Sequence, residues 1–204
     1  MEFEKTNVSD VYSKISNHFS STRYSKWEWI TQFLDEFENN SKICDIGCGN
    51  GRNMLYPNLC FRGIDICREF VDICKVQNLD VVYGDMCKLP YLDNIFDGFI
   101  SIASFHHLSN NERRLKSLSE MYRIIKKNSK CLISVWSKNQ PKKTKRIFEK
   151  YGDNYVPWNK DGKIYQRYYY IFEIPEIIEL IENVGFKLIE HKWDCGNEIF
   201  IIQK

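Results

Sequence analysis

Two amphipathic patterns open the chain, and both have helical spacing. Apolar residues recur every three or four positions in each, which places them on one face of a helix. They are Val8, Val11, Ile15 and Phe19 in the first pattern, and Trp27, Ile30, Leu34 and Phe37 in the second. The stretch between them, H-F-S-S-T-R-Y-S-K-W, is polar enough for a loop or helix junction. We therefore predict a helical N-terminal lead over residues 1–40.

From Lys42 onward, short apolar runs alternate with amphipathic stretches. This alternation is typical of a parallel α/β sheet, in which buried strands are joined by helices. The predicted strands are Ile43–Ile46, Phe61–Ile64, Asp80–Tyr83, Gly98–Ile102, Cys131–Trp136, Phe186–Lys192 and Glu198–Ile202. Only a short D-C-G-N turn separates the last two, so the final strand is expected to run antiparallel to its neighbour.

Local signals mark the ends of two later helices. Ser109 and Glu112 match an S-x-x-E capping box, ahead of an apolar stripe that begins at Leu115. Pro175 and Gly185 are expected to bracket another helix, because proline suits the first turn and glycine the position after the last. We expect helices on both faces of a seven-stranded, mostly parallel sheet.

Composition narrows the class of protein. The chain has eight cysteines, but none forms a C-x-x-C pair or joins a histidine at zinc-finger spacing, so no metal site is predicted. Cysteines among aliphatic residues suit a reducing compartment. The first residues lack the apolar region of a signal peptide, and no apolar run is long enough to span a membrane. We expect one domain over residues 1–204, in a cytosolic or nuclear protein.

Positive charge is concentrated in one part of the chain, although the net charge is only +2. Six basic residues fall close together, opposed only by Glu149, and such a run fits a solvated surface as well as a nucleic-acid contact. They are Lys138, Lys142, Lys143, Lys145, Arg146 and Lys150.

A glycine-rich turn follows the first predicted strand. Glycine lets a ligand approach the backbone closely, and the ends of parallel strands form a crevice. The spacing is G-x-G-x-G, which differs from the G-x-G-x-x-G of a pyrophosphate site and favours an adenosyl ligand. The residues predicted to bind it are Asp45, Gly47, Cys48, Gly49, Asn50 and Gly51.

Further candidates stand at the next three strand ends. Asp65 ends the second strand, followed by Ile66, and is placed to accept hydrogen bonds from a ribose. Asp85 ends the third strand and is expected to take an adenine amino group, with Met86 packed on the ring. Ser101 ends the fourth, ahead of His106 and His107. Each aspartate alone would fit a turn or a cap, but three aspartates at neighbouring strand ends favour a nucleoside pocket.

At this point the chain resembles a known family, the eukaryotic tRNA methyltransferases that convert 5-carboxymethyluridine at the wobble position to its methyl ester. The matching segments include His18–Trp27, D-I-G-C-G-N-G from Asp45, E-R-R-L from Glu112 and Y-Q-R-Y-Y from Tyr165. The resemblance implies a Rossmann-like class I methyltransferase fold that uses S-adenosylmethionine. It also implies a tRNA anticodon stem-loop as substrate, and a small zinc-binding activator protein bound along the edge of the third strand.

The carboxylate acceptor of this family suggests which side chains would meet it. A carboxylate is already ionised at neutral pH, so it needs placement by cationic or donor groups rather than a general base. The candidates are His18, Arg23, His107, Arg113 and Arg167, with Arg23 favoured by its polar setting. Each arginine could instead form a surface ion pair. The segment 137–172 is expected to be an insert on the substrate side.

Two other functions remain open from the sequence. One is a class I methyltransferase that acts on a small molecule or lipid, which would use the same cofactor site. The other is a tRNA-binding subunit without activity.

Overall fold

The computed structural model describes residues 2–23, 27–142, 144 and 146–204. Its chain begins with a continuous helical stretch made of α1 (Glu2–Glu4), one π-helical turn (Lys5–Ser9) and α2 (Asp10–Ser21), and α3 (Glu28–Leu34) follows. These elements confirm the two helical patterns at the start of the sequence. Of the predicted junction between them, residues 24–26 lie outside the described residues.

A seven-stranded sheet forms the centre of the rest of the chain. Its strands lie in the order β3-β2-β1-β4-β5-β9-β8, and β9 is antiparallel to both of its neighbours while the other pairs are parallel. The bounds are β1 Lys42–Ile46, β2 Cys60–Asp65, β3 Val81–Tyr83, β4 Gly98–Ile102, β5 Lys130–Trp136, β8 Lys187–Asp194 and β9 Asn197–Gln203. The predicted fold class is confirmed, and β3 is an edge strand as expected.

Helices pack on both faces because successive strand residues point to opposite sides. In β5, Ile133 packs with the apolar residues of α5 (Asn111–Ile124) and α6 (Ile174–Asn183), whereas its neighbour Leu132 packs with α3. The remaining helix, α4 (Arg68–Val76), contacts α2 and β3. None of the described helices is both long and apolar enough to cross a lipid bilayer.

The cap of α5 differs from the predicted capping box. Asn110 is the N-cap, and its side chain accepts a hydrogen bond from the backbone N–H of Arg113. Ser109 instead donates its hydroxyl to Glu4 Oε1, 2.8 Å away. Glu4 therefore ties the N-terminal helix to the body of the protein, a long-range contact that helix signals in the sequence do not report.

The insert after β5 contains a hairpin that the strand pattern did not predict. Its strands, β6 (Gly152–Lys160) and β7 (Lys163–Ile171), pair antiparallel in a sheet of their own. The two-residue loop, Asp161-Gly162, has positive φ at both positions, as a type I′ turn requires. This D-G pair was a usable hairpin signal in the sequence, but Pro157 and the aromatic residues around it broke the alternating pattern.

Candidate active site

A cavity of about 620 Å³ opens at the carboxyl ends of strands β1 to β5. Its floor comes from residues that end or follow these strands, such as Gly47, Asp65, Ile102 and Trp136. The N-terminal helices cover one side, with Tyr12 among the lining residues. The cavity thus lies between the sheet and the helical lead, where the glycine turn and the strand-end aspartates were expected to bind a nucleoside.

The glycine turn after β1 is held tightly against the neighbouring strands. Gly47 has φ +75°, and a Cβ added there would lie 2.4 Å from the Cβ of Ser104. Gly49 has φ +55°, and a Cβ there would have no atom within 4 Å. Both glycines line the cavity together with Cys48 and Asn50. Gly47 is therefore required for packing, while Gly49 leaves open space on the side from which a ligand can approach.

Asp65 connects this turn to the start of α4. Its Oδ2 accepts a hydrogen bond from Gly49 N and its Oδ1 accepts one from Cys67 N, both at 2.8 Å. Burial raises the pKa of Asp65 to about 6. The backbone N–H of Ile66 also favours the charged carboxylate. Because a carboxylate has about four acceptor positions, room remains for a further donor such as a ribose hydroxyl. Asp65 and Ile66 both line the cavity, as the sequence predicted.

Asp85 is part of an ion-pair chain. Arg113 Nη2 donates to Asp85 Oδ2 and Arg113 Nε donates to Glu4 Oε1, each at 2.8 Å. Asp85 and Met86 line the cavity, and their contact with the adenine ring stays a prediction. Arg113 lines the cavity as well, and because two carboxylates hold its guanidinium, its role toward the acceptor stays a prediction.

Asp45 is fully buried, and neither carboxylate oxygen has a hydrogen-bond partner within the described residues. Burial, and then the negative charge of Asp65, raises the pKa of Asp45 to about 8. Asp45 does not line the cavity itself, and neither do Ser101 and Gly51. Ser101 hydrogen-bonds to Ser104, and Gly51 faces Leu79. These two residues shape the turn from behind.

The two histidines after β4 have different surroundings. His106 is fully buried, and its Nδ1 accepts a hydrogen bond from the backbone N–H of Trp136. It does not line the cavity, whereas His107 does. His107 Nδ1 lies 2.7 Å from the carbonyl oxygen of Tyr168. A carbonyl only accepts, so the proton is on Nδ1, and burial lowers the pKa of His107 to about 4.

A hydrogen-bonded chain with one direction follows from that tautomer. Nε2 of His107 must accept, so the Tyr12 hydroxyl donates to it across 3.2 Å. Tyr12 then accepts from the Tyr169 hydroxyl at 2.9 Å, and Tyr169 accepts from Arg167 Nη1 at 2.8 Å. The chain joins α2, the turn after β4 and the hairpin. His107 is therefore a neutral acceptor here and Arg167 a buried donor.

The other acceptor candidates are only partly brought together. Arg23 lines the cavity, and its guanidinium lies 4.9 Å from the ring centre of Phe19. Arg167 is 3% exposed and does not line the cavity. His18 is exposed outside it, where its Nδ1 accepts from the indole of Trp158. The structure thus favours Arg23 and His107 as cavity residues and contradicts that place for His18 and Arg167.

Sequence reasoning missed several cavity residues. Arg146, assigned to the basic run, is half-buried over the Trp136 ring at 3.8 Å and lines the cavity. Tyr12, Arg52 and Asn197 also line it. Arg52 directly follows the glycine turn, which was a usable signal. The others come from distant segments, and no local pattern indicated that they would meet.

Among the described residues, no group of three His, Cys, Asp or Glu side chains is arranged to hold a metal ion. The basic run is otherwise exposed at Lys142 and Lys150, while Lys143 and Lys145 lie outside the described part of the chain.

Comparisons with known proteins agree with this geometry. Residues 44–133 match the family model described as a methyltransferase domain. Solved structures share the fold: a SAM-dependent methyltransferase from Methanosarcina mazei has a TM-score of 0.71 at 16% identity, covering 88% of this chain and 98% of that one. The complex of the Haloferax volcanii Trm112 methyltransferase activator with a methyltransferase gives 0.67 at 14% identity, with 97% of each chain covered.

Sequence relatives are more specific. The tRNA (carboxymethyluridine(34)-5-O)-methyltransferase of Schizosaccharomyces pombe is 36% identical over 100% of this chain and 99% of its own length. The protein of the same name from Arabidopsis thaliana is 41% identical over 68% of this chain, which spans only 35% of that relative. With the fold, the glycine turn and the aspartates at the strand ends, these similarities show that the chain is an S-adenosylmethionine-dependent enzyme of the tRNA (carboxymethyluridine(34)-5-O)-methyltransferase family.

Proposed function

We propose that this protein transfers a methyl group to the carboxylate of 5-carboxymethyluridine at the wobble position of tRNA, forming a methyl ester. The observation that carries the proposal is a cluster of three arginines, in which Arg23 and Arg146 line the cavity and Arg167 is buried beside them. No Asp or Glu in the described chain pairs with these three side chains. Burial lowers the pKa of Arg23 and Arg146, and the charge of Arg167 lowers both further. An anionic acceptor would relieve this repulsion.

The residues around the glycine turn fit the cofactor. The remaining acceptor capacity of Asp65 suits a ribose hydroxyl. The carboxylate of Asp45 does not line the cavity, but neither of its oxygens has a hydrogen-bond partner in the described residues, so an ammonium group that reached it would supply one. The open space at Gly49 leaves room for the ligand beside the backbone. Asp85 is oriented by Arg113 toward the adenine end. When bound, S-adenosylmethionine supplies an electrophilic methyl on a sulfonium.

The protein's own part in the reaction is placement. A carboxylic acid with a pKa near about 4 is ionised at neutral pH, so no residue has to remove a proton. The arginine cluster would hold the carboxylate so that one oxygen approaches the methyl within about 3–3.5 Å. Aromatic walls, including Tyr169 and Trp136, would exclude water. His107, neutral through its depressed pKa, leaves the positive field of the arginines unchanged.

A single incubation separates this function from the two alternatives. Purified protein and labelled cofactor are mixed with an anticodon stem-loop that carries 5-carboxymethyluridine, with and without the activator. We expect label in an alkali-labile ester on the RNA. Label on a small metabolite from a cell extract would support the small-molecule enzyme. RNA binding without label would support the inactive subunit. Asp65→Asn is the matched control that should abolish labelling.

The activator is proposed to add to the free edge of β3. Tyr83 on this strand is 48% exposed, with the Arg68 guanidinium 4.0 Å from its ring centre. An exposed edge strand offers unpaired backbone groups to a partner strand. Tyr83→Glu should prevent co-purification with a co-expressed zinc-binding activator. Tyr155→Glu, a tyrosine of equal exposure on the hairpin, should not. Retention of the activator by Tyr83→Glu would place the interface elsewhere.

The basic run is proposed to hold phosphates of the anticodon stem. Lys142 and Lys150 are exposed on the insert after β5, whose residues Thr144 and Arg146 line the cavity. Exposed lysines in this place suit contacts to an RNA backbone. The basic run would therefore raise the affinity for RNA, while the cavity would recognise the modified base.

A further inference from the structure

Four arginines line the cavity among the residues described, but they occupy different positions. Arg113 is held by two carboxylates. Arg52 begins a short helical turn directly after Gly51, and the carbonyl of Arg23 accepts a hydrogen bond from Asn50 of the glycine turn. Arg52 therefore lies beside the glycine turn, and Arg23 borders that turn through its backbone carbonyl. Arg146 comes from the insert after β5 and stands apart from that turn.

Arg146 is oriented before any ligand arrives. Its guanidinium lies 3.8 Å from the ring centre of Trp136, and its Nη1 donates to Gln140 Oε1 at 3.1 Å. The amide of Gln140 is itself held, because its Nε2 donates to the carbonyls of Ser137 at 2.7 Å and Gly196 at 2.9 Å. Only the NH₂ group can donate to carbonyls, so Oε1 must face Arg146. Because Arg146 stacks on Trp136 and donates one hydrogen bond to Gln140, the other N–H donors of its guanidinium stay available to a ligand.

The charge of Arg146 has no acidic partner in the described chain. The lysines of the same run, Lys142 and Lys150, are exposed to solvent, whereas Arg146 is half-buried against aromatic rings. A cation withdrawn from water without a counter-charge is costly, and an anion bound from outside would offset that cost. A planar guanidinium with two free donors matches a carboxylate in a bidentate arrangement.

We propose that Arg146, held by Gln140 and Trp136, is the specificity-determining residue that recognises the carboxylate of the modified uridine. The inference rests on the proposed function and adds the residue that distinguishes carboxymethyluridine from plain uridine. Arg23, which also lines the cavity, and the buried Arg167 add positive charge near Arg146. An RNA phosphate is the other anion that Arg146 could meet, and the two ligands differ in a measurable way.

The test compares equilibrium binding of two anticodon stem-loops, one with 5-carboxymethyluridine and one with uridine at the wobble position. Wild type, Arg146→Gln and Arg146→Lys are measured at one fixed salt concentration. Lys116→Gln, an exposed site on α5 away from the cavity, removes the same charge and serves as the control. Circular dichroism and the Kd for S-adenosylmethionine establish that each variant is folded.

We expect wild type and Lys116→Gln to prefer the modified stem-loop. Arg146→Gln should weaken binding of the modified RNA by about 10- to 100-fold, the range for losing hydrogen bonds to a charged group. Binding of the unmodified RNA should change less than about twofold, and Arg146→Lys should restore part of the preference. Equal weakening of both RNAs would overturn the inference in favour of a phosphate contact, and an intact preference in Arg146→Gln would overturn it outright. Absence of any preference in wild type would instead count against the proposed function.

Discussion

The Tyr12 hydroxyl donates a hydrogen bond to Nε2 of His107 across 3.2 Å and so joins the N-terminal helix to the turn after β4. The same hydroxyl accepts from Tyr169, whose oxygen accepts from Arg167. Tyr12 thus links Nε2 of His107 to the Tyr169 hydroxyl, beside the direct bond from Nδ1 of His107 to the carbonyl of Tyr168 on the same hairpin strand. Its removal leaves a histidine nitrogen without its donor and a tyrosine hydroxyl without its acceptor.

We predict that Tyr12→Phe lowers the free energy of unfolding by about 1–3 kcal/mol, because two buried polar groups lose their partner. Urea unfolding followed by fluorescence measures this change. Tyr155→Phe is the control, since Tyr155 is half exposed and its loss should cost less than about 0.5 kcal/mol. Equal stability of the two variants would show that the chain of bonds does not hold the lead to the body.

Asp45→Asn should make the cofactor-free protein more stable, and by an amount that depends on pH. The pKa of Asp45 is raised to about 8 in the folded state, so its protonated form is favoured there. Wild type therefore loses stability as pH rises from about 4 to about 8, at up to about 1.4 kcal/mol per unit, and asparagine does not. The stability gap should widen between pH 5 and pH 8 and then level off. Urea titrations at four pH values measure it.

The same substitution, which should stabilise the fold, should weaken binding of the cofactor. If the Asp45 carboxylate holds the ammonium group of S-adenosylmethionine, Asp45→Asn weakens binding by at least about tenfold in calorimetry, because a charged partner is lost. A variant that is more stable without cofactor yet binds it normally would exclude this role for Asp45.

Replacement by alanine should destabilise the fold to different extents at two glycines of the turn. Gly47→Ala places a Cβ 2.4 Å from the Ser104 Cβ, so it should destabilise the fold by more than about 2 kcal/mol through strain and overlap. Gly49→Ala meets no atom within 4 Å, and only its left-handed φ should cost about 1–2 kcal/mol. Thermal unfolding compares them. Calorimetry should show that folded Gly49→Ala binds the cofactor more weakly, since its methyl enters the ligand space.

Arg113→Gln should weaken binding of the cofactor rather than binding of the RNA. Arg113 orients Asp85 through a 2.8 Å bond and carries no free charge toward the acceptor end. We expect the Kd for S-adenosylmethionine to rise about tenfold, with the affinity for the stem-loop nearly unchanged. Lys126→Gln, which breaks a surface pair with Asp97, is the matched control. A selective loss of RNA affinity would restore Arg113 to the acceptor side.

The paired substitution Lys142→Glu and Lys150→Glu should weaken tRNA binding at low salt and flatten its dependence on salt. Each phosphate contact that is lost should reduce the slope of log K against log salt by roughly one. Lys116→Glu provides a control at an exposed site on another face. Unchanged affinity at low salt would remove the basic run from the RNA interface.

Local patterns predicted the sheet well because each strand here is a short apolar run with its own turn signals. The D-C-G-N turn is an example: Cys195 and Gly196 both have positive φ, so the final hairpin follows from two residues. The aspartates at strand ends were found for a similar reason. Parallel strands bring their carboxyl ends to one edge, so residues far apart in sequence could be placed together without knowing any side-chain contact.

Contacts between the lead, the sheet and the insert could not be predicted in this way. The sequence predicts Arg113 as an acceptor residue, but Arg113 pairs with Glu4, which is more than a hundred positions away. The sequence places Arg146 in a basic run, but contacts with Trp136 and Gln140 hold its side chain against the cavity wall. A basic residue carries no mark in the sequence that tells whether its charge is balanced.

The sequence by itself determined the α/β fold, the glycine turn and the positions of Asp45, Asp65 and Asp85, because periodicity and turn chemistry act over a few residues. Only the tertiary structure decided which cations remain available to an anionic acceptor. That outcome depends on pairings between distant segments. Arg113 and Arg146 have the same side chain, but two carboxylates balance the charge of Arg113, whereas Arg146 lies over an aromatic ring that does not balance its charge.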